Sequence, residues 1–267
     1  MVESIKELRV ICQKRIQLYN KKGEENTAPP TEEYIYDQFL RLVSIYITKL
    51  FLYTPITSNQ VTILSMLVGI LAGLAFTHPH PLYWILGFLL LQLFHFLDAV
   101  DGEISRYRQE ATPIGKYFDL MAHGVVIAAF YAGITIGIYN SLQHPLIFII
   151  GFICLITFLL SMVSAFLKNY LVYEYALNYG GKQSLKKTEP RSQQLKVSSL
   201  KYFIRRIFGF DGLAFMALGF ALLDWFLPLS FNYLNWRFLF LILSAVGGSL
   251  TLINKMRITN QLKNKFT

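Results

Sequence analysis

Long apolar runs separated by short polar stretches make up most of the chain between residues 60 and 254. Each run is close to the roughly 20 residues that an α-helix needs to cross the hydrocarbon core of a bilayer. The pattern predicts six transmembrane helices, at residues 60–77, 82–105, 114–139, 146–173, 208–229 and 234–254. The predicted fold class is therefore an all-α integral membrane protein.

A different periodicity precedes the first apolar run, between Thr31 and Tyr53. Apolar residues recur there at helical spacing, and polar residues occupy another side of the same helix. The apolar positions are Tyr36, Phe39, Leu40, Val43, Ile47 and Leu50, and the polar ones are Asp37, Arg41, Ser44 and Thr48. This predicts an amphipathic helix that lies in the membrane interface, with a soluble helix packed on a cytosolic partner as the alternative. Thr54-Pro55 is expected to end the helix.

The remaining polar segments complete the predicted domain organisation. Residues 1–30 are expected to form a polar, solvated N-terminal arm, followed by the amphipathic juxtamembrane helix at 31–53. Residues 54–257 form the six-helix transmembrane domain, which includes a cytosolic loop at about 175–200 that is rich in Gly, Ser, Lys and Gln. Residues 258–267 form a basic cytosolic tail.

Composition and charge support a membrane protein with a defined orientation. Of the 267 residues, 54% are hydrophobic and only 15% are charged, whereas soluble domains carry about 25% charged residues. The net charge of +9 is uneven, because the connections between predicted helices one and two, three and four, and five and six contain no lysine or arginine. The positive-inside rule therefore places both termini on the cytoplasmic side. Contact with anionic headgroups accounts for the basic charge, and no nucleic-acid partner is expected.

Carboxylates interrupt the apolar pattern between Phe96 and Val126. Asp98 and Asp101 are three residues apart and share one face of a helix, and Asp119 and His123, four apart, share a face of the next helix. Both pairs are predicted at the cytoplasmic ends of adjacent antiparallel spans, so the two faces can meet. Oxygen ligands favour Mg²⁺, and an imidazole among them makes Mn²⁺ possible.

The alternative is that these acids only mark the ends of two membrane helices. Asp98 and Asp101 would then lie near a helix C-terminus, where the macrodipole disfavours anions. Arg106 and Arg108 could compensate by ion pairing. Glu103 is interpreted as a solvated residue. The spacing alone leaves the metal site and the ion-paired helix end both open.

The same stretch is similar to the signature of the CDP-alcohol phosphotransferase family, D-x2-D-G-x2-A-R-x8-G-x3-D-x3-D. Upstream, TPITSNQVTILS resembles the family's T-P-N-x-x-T element through Asn59 and Thr62, with Ser58 where proline is usual. Within the signature, Ser105 stands at the alanine and His123 at the fourth aspartate. The matching positions are Asp98, Asp101, Gly102, Arg106, Gly115 and Asp119, with the eight-residue gap YRQEATPI intact.

The resemblance implies an enzyme of phospholipid or polar-lipid synthesis at the cytoplasmic face of the membrane. A phosphatidyl or other substituted phosphoryl group would pass from a CDP-linked lipid or alcohol to an alcohol or phosphorylated alcohol, with release of CMP. Two divalent ions, Mg²⁺ or Mn²⁺, would be bound by Asp98, Asp101 and Asp119. A homodimer is implied by the family's tendency to dimerise. The residues implied around the nucleotide are Gly102, Ser105, Arg106 and Gly115, with Asn59 and Thr62 as further candidates.

His123 occupies the position at which the family's aspartate is taken to be the general base. It could replace that base, since imidazole has an unperturbed pKa of about 6.5, and activity would then fall in acid as the ring protonates. It could instead ligate the second metal while another group takes the proton, or it could pack in the helix bundle. It could also mark a lost base. In that case the chain would be a non-catalytic scaffold that binds a CDP-linked lipid.

A cluster of basic residues is a candidate for binding the phosphate of a phosphorylated acceptor. These residues flank the predicted cytoplasmic ends of three spans. They are Lys116, Lys168, Arg205 and Arg206.

Overall fold

The computed structural model describes residues 2–13, 35–179, 209–227 and 235–266. These ranges are helical and contain no strand. The helices are α1 Ile5–Leu8, α2 Ile35–Leu52, α3 Ser58–Phe76, α4 Pro81–Arg108, α5 Pro113–Leu142, α6 Leu146–Tyr179, α7 Phe210–Phe226 and α8 Trp236–Phe266. A π-helical segment, Arg9–Gln13, continues from α1.

Five of these helices are long and apolar enough to cross a membrane, namely α3, α4, α5, α6 and α8. The chain is therefore a multi-pass integral membrane protein, and the all-helical prediction is confirmed for the described ranges. The span predicted at 208–229 contains α7, which has 17 residues and is shorter than the other five. The predicted total of six spans stays a prediction.

Side-chain caps fix where α3 and α5 begin. In Thr57-Ser58-Asn59-Gln60, the backbone N–H of Thr57 donates to the Gln60 side chain at 2.9 Å, and the backbone N–H of Gln60 donates to the Thr57 hydroxyl at 3.4 Å. This reciprocal pair is a capping box. At α5 the backbone N–H of Gly115 donates to the Thr112 hydroxyl at 3.0 Å, and Pro113 occupies the first helical position, where its missing N–H costs nothing.

α4 ends in a Schellman motif that turns the chain into α5. Gln109 follows the helix with a φ of 56°, the left-handed conformation. Its N–H donates to the carbonyl of Arg106 at 3.3 Å, and the N–H of Glu110 donates to the carbonyl of Ser105 at 3.0 Å. These are the two bonds that close a helix C-terminus in this motif. The short connection that follows makes α4 and α5 a helical hairpin.

The chain divides into two compact units. The first comprises Met1–Leu71 and Leu89–Val126, and the second comprises Ala72–Phe88 and Ile127–Thr267. The core of the first unit contains Val61 from α3 with residues of α4, and part of α2 packs against it. The α4 residues of this core are Leu97, Val100 and Ile104.

α2 turns its hydroxyl groups towards the protein and leaves an apolar stripe outside. Ser44 and Thr48 are fully buried. They lie about 180° around the helix from the stripe, at 3.6 residues per turn. A helix is therefore present within the range predicted to be amphipathic, and its polar side is an internal surface. Its position in the membrane interface stays a prediction. The exposed stripe consists of Phe39, Leu42, Tyr46, Leu50 and, just past the helix end, Tyr53.

Residues 2–13 pack against α2 within the first unit, which corrects the expectation of a solvated arm for this part of the chain. Leu8 and Cys12 are fully buried and pack with Ile45 of α2. They are four residues apart and share one helical face, although the segment around them is polar. Burial raises the pKa of the Cys12 thiol to about 11, so the thiol stays protonated at neutral pH. Residues 14–34 lie outside the described ranges, and the predicted domain boundaries stay predictions.

In the second unit, a buried ion pair joins the end of α7 to the start of α8. The Nε of Arg237 donates to a carboxylate oxygen of Asp224, and both side chains are 7% exposed. Arg237 also donates to the carbonyl of Pro79 and lies 5.2 Å from the ring centroid of Trp84. α8 packs against both α6 and α7. A carboxylate paired in this way needs no catalytic explanation.

Gly69→Val is expected to destabilise the first unit, because a Cβ at Gly69 would overlap the side chain of Val126 on α5. Overpacking of this kind costs about 1–3 kcal/mol, which a lowered melting temperature of the purified protein would report. Gly219→Val is the matched control, since a Cβ at Gly219 of α7 meets no atom within 4 Å. Equal melting temperatures for the two variants would contradict the expected close contact between α3 and α5.

Candidate functional site

Asp98, Asp119 and His123 converge where α4 and α5 form their hairpin. Each offers one ligand atom, and the three atoms lie within 4.8 Å of one another. The Nε2 of His123 lies 3.6 Å from Oδ1 of Asp98, and its Nδ1 lies 3.2 Å from Oδ1 of Asp119. The side chains are 33%, 31% and 48% exposed for His123, Asp98 and Asp119, so a small ion can reach them. Two carboxylate oxygens and one imidazole nitrogen suit Mg²⁺ or Mn²⁺.

The surroundings of the His123 ring favour a proton on Nδ1 and place a further acceptor opposite Nε2. Nδ1 faces two acceptors, the Asp119 carboxylate and the Asp119 backbone carbonyl at 3.0 Å. A ring nitrogen between two acceptors must be the protonated one in the neutral imidazole. The neutral ring therefore carries its lone pair on Nε2, and a second proton bound there would face the Asp98 carboxylate at 3.6 Å. A carboxylate that fixes an imidazole in this way is the usual support of a histidine that ligates a metal or takes a proton.

Asp101 lies beside this cluster but has a partner of its own. Its carboxylate is 8% exposed and accepts a hydrogen bond of 2.6 Å from the hydroxyl of Thr62 on α3. Asp101 is therefore not one of the three groups that lie within 4.8 Å. Thr62, which the sequence suggests as a nucleotide contact, is buried and fixes the orientation of Asp101. The roles of both residues towards a metal or a nucleotide stay predictions.

The other residues predicted on the nucleotide side occupy the first turns of α3 and α5 and the end of α4. The terminal nitrogens of Arg106 lie over Gly102, where a Cβ would be 3.2 Å from Nη1. Asn59 and Gly115 face each other, since a Cβ at Gly115 would lie 3.4 Å from Oδ1 of Asn59. Ser105 is half-buried on α4. Gly102, Ser105 and Gly115 have no side chain or a small one, and this leaves room for a flat group to approach the backbone.

Arg106 and Arg108 are used differently from the ion pairing that the sequence suggested. Nε of Arg106 donates to the carbonyl of Cys12. Arg108 donates to the carbonyls of Ile56 at 2.7 Å and Thr54 at 3.0 Å. Within the described ranges, the ion pairs of Asp98 and Asp119 are made with His123. The two arginines therefore hold backbone segments at the end of α4.

Glu103 corrects the sequence interpretation most clearly, because it is buried and not solvated. Its side chain is 1% exposed and accepts three hydrogen bonds, from Ser44 at 2.7 Å, Thr48 at 2.5 Å and Gln13 at 2.8 Å. A buried carboxyl group is tolerated only with such partners. A signal was present in the sequence, since Ser44 and Thr48 are two hydroxyls four residues apart on one helical face.

The proposed acceptor-phosphate cluster is described only in part. Lys116 is exposed in the first turn of α5. Lys168 belongs to α6, but its side chain lies outside the described residues, as do Arg205 and Arg206 entirely. The structure therefore does not test whether these four residues come together.

Comparison with known proteins gives one family match and two kinds of relatives. The model of the CDP-alcohol phosphatidyltransferase family matches residues 55–222, more than half of the chain. Two proteins named bifunctional IPC transferase and DIPP synthase are similar. The one from Thermococcus kodakarensis is 28% identical over 116 residues, and the one from Aquifex aeolicus is 32% identical over 92 residues. These matches span 43% and 34% of this chain but only 25% and 20% of the relatives' own lengths.

A solved structure shares the fold. The crystal structure of phosphatidylinositol phosphate synthase from Mycobacterium tuberculosis, determined with CDP-DAG bound, superposes with a TM-score of 0.56 at 15% sequence identity. The alignment covers 82% of this chain and 94% of that one. At this identity the likeness shows a common fold and no more.

Proposed function

Because the chain belongs to the CDP-alcohol phosphatidyltransferase family, we propose that it transfers a phosphatidyl or other substituted phosphoryl group from a CDP-linked lipid to an alcohol, with release of CMP. The donor is the class of molecule bound in the solved structure that shares the fold. The reaction belongs to phospholipid or polar-lipid synthesis. The acceptor is an alcohol or a phosphorylated alcohol.

The convergence of Asp98, Asp119 and His123 carries this proposal. The three residues stand at the first, third and fourth acidic positions of the signature, on two different helices, and their ligand atoms lie within 4.8 Å. Apolar packing alone gives no reason to place two carboxylates and an imidazole together at the end of a helical hairpin. A site that binds divalent ions and a diphosphate gives such a reason.

The chain offers the donor atoms that two divalent ions need. Asp98, Asp119 and His123 would hold them together with Asp101, whose orientation Thr62 fixes. Bound there, the ions would neutralise charge on the diphosphate of the donor and on the departing CMP. The contribution of the protein residues is to bind and orient the two substrates, since positioning supplies much of the acceleration in phosphoryl transfer.

His123 is proposed as the general base that takes the proton of the acceptor hydroxyl at Nε2. The contacts of Nδ1 with Asp119 support this role, because they leave the lone pair on Nε2 whenever the ring is neutral. The same nitrogen is the one that would ligate a metal. The two roles differ in their response to substitution, as argued below.

On the nucleotide side, Gly102, Ser105, Gly115 and Asn59 are proposed to surround the cytidine. Arg106 is proposed to contact a phosphate, for which its fork of N–H groups is suited. The acceptor's phosphate, where it has one, is assigned to Lys116, Lys168, Arg205 and Arg206.

The predicted membrane arrangement completes the proposal. α7 would be the fifth of six spans, α2 would lie in the interface with its apolar stripe against lipid, and both termini and the site would be cytoplasmic. A homodimer stays a prediction that rests on the family resemblance.

The test is CMP release by the purified full-length protein in lipid nanodiscs, with CDP-diacylglycerol and a panel of free and phosphorylated polyols and amino alcohols. The panel includes an inositol phosphate, because that group is in the name of the solved relative. We expect release that requires one acceptor, stops when a chelator removes divalent ions and returns with Mg²⁺ or Mn²⁺.

Two results would contradict the enzyme. Release that persists after complete removal of divalent ions would exclude the proposed site chemistry. Tight binding of labelled CDP-diacylglycerol without CMP release across the whole panel would support the alternative, a non-catalytic scaffold that binds a CDP-linked lipid.

A further inference from the structure

Two consecutive residues at the end of the N-terminal segment contact the signature directly. The carbonyl of Cys12 accepts a hydrogen bond from Nε of Arg106, and the side chain of Gln13 donates to Oε1 of Glu103 at 2.8 Å. Glu103 and Arg106 are three residues apart and lie on one face of α4. Residues 2–13 therefore pack on the nucleotide side of the predicted site.

Gln13 is also tied to α2. Its side chain donates to the backbone carbonyl of Arg41 at 2.6 Å, and Nη1 of Arg41 donates back to the carbonyl of Gln13 at 3.3 Å. Ser44 and Thr48, one and two turns further along α2, donate to the same carboxylate of Glu103. Glu103 thus joins the N-terminal segment and α2 to α4.

The segment lies outside the part of the chain that matches the family model, which begins at residue 55. Its contacts with Arg106 and Glu103 are therefore outside what the family match covers. An arginine side chain loses conformational freedom when it binds phosphate, and fixing it beforehand removes part of that cost. The bond from Nε to Cys12 fixes the plane of the guanidinium, with its terminal nitrogens over Gly102.

We propose that residues 2–13 are a positioning element for Arg106, which Glu103 holds in place through Gln13. The inference rests on the proposed function and deepens it, since the phosphate that Arg106 meets is that of the CDP-linked donor. The segment preorganises donor binding and takes no part in proton transfer. Gln13 and Glu103 are thus positioning residues.

The test compares Gln13→Ala in the full chain with Val10→Ala, an exposed position on the same segment. Loss of the two hydrogen bonds that the Gln13 side chain donates is expected to raise both the KM for CDP-diacylglycerol and the Kd for CDP about fivefold to tenfold. The kcat and the acceptor KM should stay within about twofold, and Val10→Ala should match the wild type.

Glu103→Gln is the second variant, with Glu110→Gln, an exposed position just after the end of α4, as its control. The amide keeps the volume of the side chain and one acceptor oxygen, so the protein should remain folded with the same selective loss of donor affinity. Donor KM and CDP Kd within twofold of wild type for both Gln13→Ala and Glu103→Gln would overturn the inference. So would an equal loss in kcat and in both KM values.

A double-mutant cycle separates positioning from general stability. In an Arg106→Ala background, Gln13→Ala should produce no further change in the Kd for CDP, because the side chain that the segment positions is gone. A full additional loss there would overturn the inference. A wild type that neither binds CDP nor releases CMP would instead contradict the proposed function. When the wild type does both, the variants test the inference alone.

Discussion

Asp98→Asn is expected to lower the kcat of CMP release by about 10³-fold or more, equivalent to losing roughly 4 kcal/mol of transition-state stabilisation. Asparagine keeps the shape of the side chain but removes the charge and one anionic ligand from the group formed with Asp119 and His123. The variant should also require more Mg²⁺ for half-maximal activity. Steady-state rates over a Mg²⁺ titration measure both effects.

The same variant should not lose stability. Asp98 is 31% exposed and lies 3.6 Å from Nε2 of His123, and two further carboxylates lie nearby. Removing one of several neighbouring negative charges relieves repulsion, so the melting temperature without metal should be unchanged or higher. Glu110→Gln controls for loss of a carboxylate elsewhere. A variant that keeps more than a tenth of the activity, or that is inactive only because it is unfolded, would contradict the assignment of Asp98.

His123→Ala is expected to lower kcat by about 10²- to 10⁴-fold, the range for loss of a general base, while His123→Asp should retain activity. Aspartate is the residue that the signature carries at this position, and it can take a proton or hold a metal as well. The comparison of the two variants therefore separates the roles of His123, with His144→Ala in the connection between α5 and α6 as the control.

Each role of His123 predicts its own outcome. A base gives a low kcat in His123→Ala at every Mg²⁺ or Mn²⁺ concentration. A metal ligand gives a loss that higher metal concentration restores, because the carboxylates of Asp98 and Asp119 remain. A lost base gives a silent wild type and activity that appears in His123→Asp. An unchanged rate in His123→Ala would remove His123 from the mechanism.

Features that depend on residues close in sequence could be predicted. The apolar runs placed α3, α4 and α5 to within a few residues, because burial in lipid leaves a continuous pattern. Asp119 and His123 are one helical turn apart, and the α4–α5 hairpin brings them to Asp98. Spacing along two adjacent helices therefore indicated that these side chains could meet, while the metal site itself stays a prediction.

Features that depend on contacts between residues distant in the sequence could not be predicted. Glu103 meets Thr48, Ser44 and Gln13, which precede it by 55, 59 and 90 residues. An acid near a helix end looks solvated in the sequence, because nothing local shows which hydroxyls will face it. The hydrogen bond from Thr62 to Asp101 could not be predicted for the same reason. The spacing of Asp98 and Asp101 suggests instead that both side chains point into one site.

Because the hydroxyls of Ser44 and Thr48 face inwards, the hydrogen bonds of the buried Glu103 depend on what covers the outer side of α2. The stripe from Phe39 to Tyr53 covers the outer side of the helix whose inner side holds Glu103. Hydrogen bonds to a carboxylate weaken where water competes for them. In the proposed arrangement, with α2 in the interface, hydrocarbon over the stripe would keep water away from the carboxylate beneath it. A detergent with tails too short to cover α2 would admit water to that layer, so donor affinities measured in such a detergent and in a bilayer would describe two differently hydrated proteins.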